Sequence, residues 1–252
     1  ATETRLRQVR GSRLAMVFQE PISALNPVLT TGFQIREALW AKSMNRREQS
    51  AEARHLLELV GLPPTDEQLE RYPHELSGGQ RQRVMIAIAL ASEPDLLIAD
   101  EPTSALDPTL QTQILELLRD LRSRLGLAVL LISHDLAAVA RSCDRCIVMY
   151  AGQVVEECPT ERLFQSPAHP YTRALFDSTP RIGGRLRRGG LPTIAGQVPE
   201  PGQLPPGCAF HPRCKEALVD CQIRVPGLDR LGTDHHVRCW LHSEPGEREE
   251  SS

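Results

Sequence analysis

Short apolar runs alternate with amphipathic stretches along the first two thirds of the chain. Three runs of consecutive apolar residues predict buried strands at Leu14–Gln19, Leu96–Ala99 and Leu127–Ser133. Apolar residues at helical spacing predict helices over Thr31–Trp40, Arg46–Val60, Ser77 to about Ala91, the segment from Asp107 to Gly126, and from Leu136 onwards. Because uninterrupted apolar strands alternate with helices, we expect an α/β fold whose sheet is covered on both faces.

The pattern changes in the last third of the chain. Ile147–Tyr150 and Gln153–Glu156 flank Ala151-Gly152 and predict a hairpin. Pro180–Gly207 is rich in Gly and Pro without periodicity, which predicts a linker or extended arm, and the polar tail Glu244–Ser252 is predicted to be disordered. We therefore expect a core at residues 1–160, with a helical subdomain at about 21–90, and an extension at 161–252 that holds a four-cysteine module at about 207–240.

Composition excludes some functions. The formal net charge of −3 gives no reason to expect bulk binding of nucleic acid. The apolar runs are far shorter than the ~20 residues that a membrane-spanning helix needs. No secretory signal opens the chain, and we expect a cytosolic location.

Five motifs that can carry chemistry follow one another along the core. In chain order they are Gln19, Leu76-Ser77-Gly78-Gly79-Gln80, Asp100-Glu101, Ser104-Ala105-Leu106-Asp107 and His134. Ser77 is predicted to cap a helix whose glycine-rich start can bind an anion, because free N–H groups and the helix dipole meet there. Asp100-Glu101 ends an apolar strand, which places carboxylates at the ligand-binding edge of a parallel sheet.

In this order and spacing, the motifs resemble the nucleotide-binding subunit of an ABC transporter. The resemblance implies a P-loop NTPase-like domain with a helical subdomain, and ATP and Mg²⁺ as cofactors. It implies that Asp100 holds Mg²⁺, that Glu101 orients or deprotonates the attacking water, and that His134 contacts the γ-phosphate.

The same resemblance implies contacts between two such subunits. The signature residues Ser77, Gly78, Gly79 and Gln80 are expected to cover the γ-phosphate held by the partner subunit. Asp107 is expected to contact that partner, and Gln19 to sense Mg²⁺ and the attacking water.

A phosphate-binding loop of the form G-x-x-x-x-G-K-[ST] does not occur in these 252 residues. The only lysines are Lys42, after Ala41, and Lys215, after Cys214. We expect that the family's N-terminal part is missing from this chain, which then binds ATP poorly by itself. Natural loss of the loop is the alternative.

Further segments resemble the oligopeptide and dipeptide importer branch of the family, which also includes importers of nickel. They are Phe18–Pro21, Ser23–Pro27, His169–Leu175 and Gly207–Cys214. The resemblance implies peptide import and a peripheral position on the cytoplasmic face of the cell membrane. The implied partners are a second ABC ATPase subunit, identical or different, two transmembrane permease subunits and, indirectly, an extracytoplasmic solute-binding protein, with no nucleic acid.

Four cysteines of the extension have the spacing C-x5-C-x6-C-x17-C; they are Cys208, Cys214, Cys221 and Cys239. Four thiolates can hold zinc or an Fe–S cluster, and some members of the branch carry a [4Fe–4S] cluster here. Zinc, or no metal, remains the alternative, and the neighbouring histidines His211, His235 and His236 are surplus to four ligands. The remaining cysteines, Cys143, Cys146 and Cys158, are interpreted as structural.

Two other functions are compatible with parts of this pattern. A non-catalytic subunit would only donate its LSGGQ signature to a neighbour's ATP, but Glu101 and His134 argue against it, since a dead site has no need of them. A soluble ABC ATPase of DNA repair or translation is disfavoured by the importer-type C-terminal module.

Overall fold

The structure is a computed structural model that describes residues 3–19, 24–104, 106–179, 193–200 and 202–243. The chain divides into two compact units, Ala1–Ala138 and Val139–Ser252. Predictions about residues 20–23, about Ala105, about most of the linker and about the tail lie outside the described residues. The division into a core at 1–160 and an extension at 161–252 stays a prediction.

The strands and helices predicted for the first unit are confirmed, with ends that differ by a few residues. The elements are α1 (Glu3–Val9), β1 (Leu14–Val17), α2 (Thr31–Ala38), α3 (Arg46–Leu59), α4 (Asp66–Glu70), α5 (Gly78–Leu90), β2 (Leu96–Asp100), α6 (Pro108–Leu125), β3 (Ala128–Ile132) and α7 (Leu136–Ser142), the last of which runs on into the second unit. Helices α1 and α4 were not predicted, because they are too short to show a helical period.

Helix α6 shows how local sequence sets these ends. The Asp107 carboxylate accepts hydrogen bonds from the N–H groups of Thr109 and Leu110, both at 3.0 Å. Pro108 supplies the first helical residue, where no N–H is needed. Gly126 ends the helix with φ of +64°, a left-handed conformation that glycine adopts without a Cβ penalty. The predicted N-cap and stop are therefore confirmed.

The first unit contains a parallel sheet in the order β1-β2-β3. One face of this sheet is fully packed, with Ala15 and Val17 of β1 beside Leu97 and Ala99 of β2, all below a tenth exposed. These side chains belong to one core shared with the helices of the unit. The packed face fixes the register, because a slip of one residue would expose all four.

The prediction that both faces of this sheet are covered is wrong for the described residues. Met16, Leu130 and Ile132 share the opposite face and are 37, 44 and 45% exposed. The apolar runs predicted burial on both faces, but among the described residues of β1 and β2 the buried side chains lie on one face only. A run of apolar residues indicates that a strand prefers burial, but it does not specify which segment covers the strand.

The second unit contains an antiparallel sheet in the order β4-β5-β7-β6. Its elements are β4 (Arg145–Tyr150), β5 (Gln153–Pro159), α8 (Thr160–Gln165), α9 (Pro170–Asp177), α10 (Asp220–Ile223), β6 (Asp229–Gly232) and β7 (His235–Val237). The predicted hairpin is confirmed, and both of its turn residues, Ala151 and Gly152, have positive φ. In the described part of the chain, no helix is long and apolar enough to cross a membrane.

The cysteine-bearing segment does not form a core by itself. Phe210 lies edge-on to Tyr150 of the hairpin and to Tyr171 of α9, with ring centroids 5.2 and 5.4 Å away. Strand β7 pairs with β5, so the segment extends the sheet of the hairpin. It therefore draws part of its stability from the hairpin and from α9, in addition to any metal that its thiols hold.

Candidate active site

Glu101 directly follows strand β2, in a loop that is closely tied to the sheet. Its N–H donates to the carbonyl of Ile132 at 2.9 Å, which extends the pairing of β2 with β3 by one bond. Its φ is +43°, in the left-handed region where a non-glycine residue costs about 1 kcal/mol or more. The Glu101 carbonyl accepts from both the N–H and the hydroxyl of Ser104, at 3.2 Å each. These bonds hold the strained conformation.

The Glu101 carboxylate lies between two polar residues that are far from it along the chain. The Gln19 side-chain amide donates to one carboxylate oxygen at 3.0 Å. The other oxygen lies 3.0 Å from His134 Nδ1, which carries the proton because a carboxylate can only accept. The structure therefore brings Gln19, Glu101 and His134 together at the carboxyl end of the sheet.

This arrangement leaves functional atoms accessible. The Glu101 side chain is 25% exposed and the His134 side chain 76% exposed. With Nδ1 turned towards Glu101, the Nε2 atom of His134 is the one left to meet a ligand. A partly buried carboxylate oriented by two donors can position a water molecule and accept its proton.

Asp100 is the last residue of β2 and pairs with Ile132 of β3. Its side chain is half-buried, and no other described residue forms a hydrogen bond or an ion pair with it. A carboxylate that has no partner among the described residues and lies beside the Glu101 site is available for a cation. Its predicted role as the Mg²⁺ ligand stays a prediction.

The signature motif begins helix α5 with a capping box. The Ser77 hydroxyl accepts from the N–H of Gln80 at 3.3 Å, and the Gln80 side chain accepts from the N–H of Ser77 at 2.9 Å. Both polar side chains of the motif, Ser77 and Gln80, therefore form hydrogen bonds within the capping box. The remaining N–H groups of the first turn have no partner inside the helix, as at any helix start, and can meet an anion.

The two glycines of the signature allow close packing as well as any phosphate contact. A Cβ at Gly78 would lie 3.3 Å from Leu106, and one at Gly79 would lie 3.1 Å from Leu110. Leu106 and Leu110 belong to the segment that runs from Glu101 into α6. The signature thus packs directly on the loop that carries the candidate base.

The four cysteines of the extension line one small cavity of about 10 Å³. Burial is the main cause that raises the pKa of Cys239 to about 12, and the nearby Cys208, Cys221 and Cys214 thiols contribute to the same shift. Among the described residues, no three of these sulfur atoms all lie within 4.8 Å of one another. Sulfur atoms around one tetrahedral zinc ion are roughly 3.8 Å apart, as follows from Zn–S bonds of ~2.3 Å.

The other buried cysteines behave as core residues. Cys146 and Cys158 face each other across β4 and β5, and both are almost completely buried. Burial raises the pKa of both thiols, that of Cys158 to about 11. Protonated, inaccessible thiols are poor nucleophiles, which agrees with the structural interpretation.

One buried polar pair was not predicted from the sequence. Glu156 of β5 is completely buried and pairs with His235, 79 residues later in the chain. Neither residue belongs to a motif, and alternation along β5 gives no sign that a carboxylate faces inwards. Only the pairing of β7 with β5 brings the two together.

Comparison with known proteins agrees with this site. The ABC transporter family model matches residues 2–104, and the model of the oligopeptide/dipeptide transporter C-terminal region matches residues 155–221. The solved dimeric structure of the ATP-binding cassette MJ0796 with ADP and Pi is similar at a TM-score of 0.55 and 31% identity, over 64% of this chain and 68% of that one. The cbiO1 protein of Clostridium perfringens is similar at a TM-score of 0.57 and 28% identity, over 65% of this chain and 62% of that one. The fold is that of an ABC ATPase.

Curated relatives narrow the family further. The oligopeptide transport ATP-binding protein AppD of Bacillus subtilis is 49% identical over 97% of this chain and 74% of the relative. A putative peptide import ATP-binding protein of Brucella abortus is 53% identical over 91% of this chain and 69% of the relative. The dipeptide transport ATP-binding protein DppD of Bacillus subtilis is 44% identical over 98% and 73%. The chain therefore belongs to the ATP-binding proteins of the ABC transporter family, in the branch with the oligopeptide/dipeptide C-terminal region.

Proposed function

We propose that this chain is the ATP-hydrolysing subunit of an importer that takes up oligopeptides or dipeptides across the cytoplasmic membrane. The observation that carries the proposal is the Glu101 carboxylate, held at 3.0 Å by both Gln19 and His134. The names of the relatives support the cargo, because the curated proteins of both Bacillus and Brucella are described as oligopeptide, dipeptide or peptide transport proteins.

In the proposed reaction, Glu101 orients the attacking water and accepts its proton. His134 keeps Nδ1 on Glu101 and turns Nε2 to the γ-phosphate, where charge develops. Gln19 holds the second carboxylate oxygen, so that the base points in one direction. Asp100 is proposed to hold Mg²⁺ through water, because its carboxylate is not used within the described protein.

Two ATPase subunits are proposed to act together. The Ser77–Gln80 segment would cover the γ-phosphate bound by the partner, and Asp107 would contact that partner. The same complex would include two permease subunits and receive solute from a binding protein, with this chain on the cytoplasmic face. The 252 residues contain no G-x-x-x-x-G-K-[ST] loop, so we propose that they do not bind ATP well alone.

Transport in reconstituted vesicles tests the cargo. The complete protein is assembled with its partner ATPase and permease subunits in proteoliposomes that carry the binding protein. We expect ATP-driven accumulation of labelled di- and oligopeptides and none of free nickel ions. Uptake of nickel without peptide would refute the peptide assignment and leave the ATPase assignment intact.

A non-catalytic subunit that donates only its signature is the second candidate, because the signature begins helix α5 with N–H groups that can meet an anion. The two candidates differ in the effect of Glu101→Gln on the complex. ATP turnover should stall if Glu101 is a base, and it should be unchanged if the subunit only donates LSGGQ.

We also propose that Cys208, Cys214, Cys221 and Cys239 hold a metal centre, a [4Fe–4S] cluster, with zinc as the alternative. Four thiols that line one cavity support the site. When bound, the metal would supply thiolate bonds that cross-link the segment 208–221 to Cys239.

The metal content decides between these alternatives. Protein purified without oxygen is analysed for iron, acid-labile sulfide and zinc. Iron and sulfide in about four copies each per chain support the cluster. One zinc ion per chain supports the alternative. A protein that contains no iron and no zinc would refute the metal centre.

A further inference from the structure

Glu156 is a buried carboxylate that three donors from two other segments surround. One oxygen accepts from the N–H of Ala168 at 2.7 Å and from His235 Nε2 at 2.9 Å. The other accepts from the N–H of His169 at 3.0 Å. The side chain is 0% exposed, and an ionisable group is stable there only if such donors replace water.

The positions of the three donors determine which segments Glu156 links. Ala168 and His169 lead into helix α9, and His235 is the first residue of β7. His235 donates from Nε2, while its Nδ1 is buried without a partner, so the bond to Glu156 is the one that its ring makes among the described residues. Glu156 therefore joins β5 to the start of α9 and to β7 through one side chain.

Strand β7 leads directly to Cys239. The N–H of Arg238 donates to the carbonyl of Val155 at 2.8 Å, and Glu156 pairs with Val237 in the sheet. Beyond Cys239, His242 Nε2 lies 3.2 Å from the carbonyl of Ala168. Both sides of Cys239 are thus tied to the residues that surround Glu156.

The other three cysteines have a separate local support. Cys208 donates its N–H to the carbonyl of Cys221 at 2.8 Å, and Cys214 ends the turn that contains His211. These contacts lie within residues 208–221. Cys239 is the member of the set whose position depends on β7.

A metal ion held by Glu156, Cys158 and His235 is the competing interpretation, since their ligand atoms all lie within 4.8 Å of one another. The geometry favours hydrogen bonds. The His235 nitrogen and the Glu156 oxygen are 2.9 Å apart, a hydrogen-bond distance, and both carboxylate oxygens already accept backbone donors.

We propose that Glu156, through His235, is a positioning residue that holds Cys239 in place for the four-thiol site. The effect on a metal centre rests on the proposed function, whereas the position of Cys239 does not. Glu156→Gln is the sharpest change, because it keeps the shape, removes one of the two acceptor oxygens and turns an N–H₂ group towards a buried donor.

The test measures how fast iodoacetamide alkylates Cys239 in the full-length protein after metal removal, with Cys146 as the internal reference. Cys239 and Cys146 are 7 and 6% exposed, so global unfolding exposes both. We expect Glu156→Gln to raise the Cys239 to Cys146 rate ratio about tenfold, because local opening of residues 235–242 becomes easier. An unchanged ratio would overturn the proposal.

Variants of His235 and Leu163 separate positioning from loss of folding. His235→Gln keeps a donor close to the place of Nε2 and should keep the ratio near that of the wild type, whereas His235→Leu should raise it. Leu163→Ala empties part of the core beside Cys146 and Cys158 and should lower the melting temperature without raising the ratio. Equal ratios for the two His235 variants would also overturn the proposal.

Iron, sulfide and visible absorption of the same variants give the second readout. We expect Glu156→Gln to lose bound metal to a chelator faster than the wild type and Leu163→Ala not to do so. If the wild type holds no metal, the metal-centre proposal fails, and the alkylation ratio still decides the role of Glu156.

Discussion

Replacing Glu101 by Gln tests the candidate base with the smallest possible change in shape. Both carboxylate oxygens accept hydrogen bonds at 3.0 Å, from Gln19 and from His134. An amide has one acceptor oxygen, so one of the two partners would face an N–H₂ group. The substitution therefore removes a proton acceptor and one hydrogen bond at the same time.

The two losses differ in size, and this difference makes the prediction specific. One hydrogen bond to a charged group contributes about 1.5–3 kcal/mol, but both bonds of Glu101 join it to protein side chains and not to ATP, so we expect a change in ATP affinity below about tenfold. A positioned general base contributes about 10²–10⁴ in rate. We therefore expect Glu101→Gln to lower kcat by at least about a hundredfold while ATP binding changes by less than about tenfold.

The assay is steady-state phosphate release by the assembled transporter, with ATP affinity measured separately by nucleotide titration. Glu58→Gln, an exposed position on α3, makes the same chemical change away from the site and serves as the control. A Glu101→Gln protein that hydrolyses ATP at the rate of the control would refute the assignment of Glu101.

Three further outcomes follow from the packing and the charges. Gly32→Ala should lower the free energy of unfolding by about 1–3 kcal/mol in chemical denaturation, because its Cβ would lie 2.8 Å from the Cβ of Leu69 and 2.9 Å from the Leu69 carbonyl oxygen; unchanged stability would contradict this close approach. Asp107→Ala should cost about 1 kcal/mol in the same assay by removing the α6 cap, whereas Asp107→Asn should cost less. Burial lowers the pKa of His169 from 6.5 to about 4, so the unfolded chain binds the extra proton between these values and stability rises with pH there. Unfolding titrations should show stability complete above pH 6.5 and falling by roughly 3 kcal/mol towards pH 4, and His169→Gln should remove this part of the slope.

The elements of the first unit could be predicted because their signals are local. The cap at Asp107, Pro108 and the stop at Gly126 fix α6 within the sequence itself, and the structure keeps each of them. Helix α4, with five residues, has no period to detect. The exposed face that Met16 shares with Leu130 could not be foreseen, because burial depends on which segment packs there.

The candidate site divides in the same way. Asp100 and Glu101 could be assigned to the sheet edge from the strand that precedes them. The positive φ of Glu101 and its bond to Ile132 could not, because they depend on the neighbouring strand. The link between Glu156 and His235 was likewise invisible, since two ordinary polar residues meet only after β7 has paired with β5.

The sequence by itself determined the class of this protein, because the motifs from Gln19 to His134 keep a fixed order and each has its own local chemistry. It also determined the helix ends, which depend on capping residues within a few positions. Only the tertiary structure decided which polar groups meet. The carboxylate of Glu101 receives Gln19 and His134, and that of Glu156 receives His235, because parallel and antiparallel pairing bring distant segments to one sheet edge or one core. Burial then selects these contacts, since a carboxylate removed from water is stable only where donors already surround it.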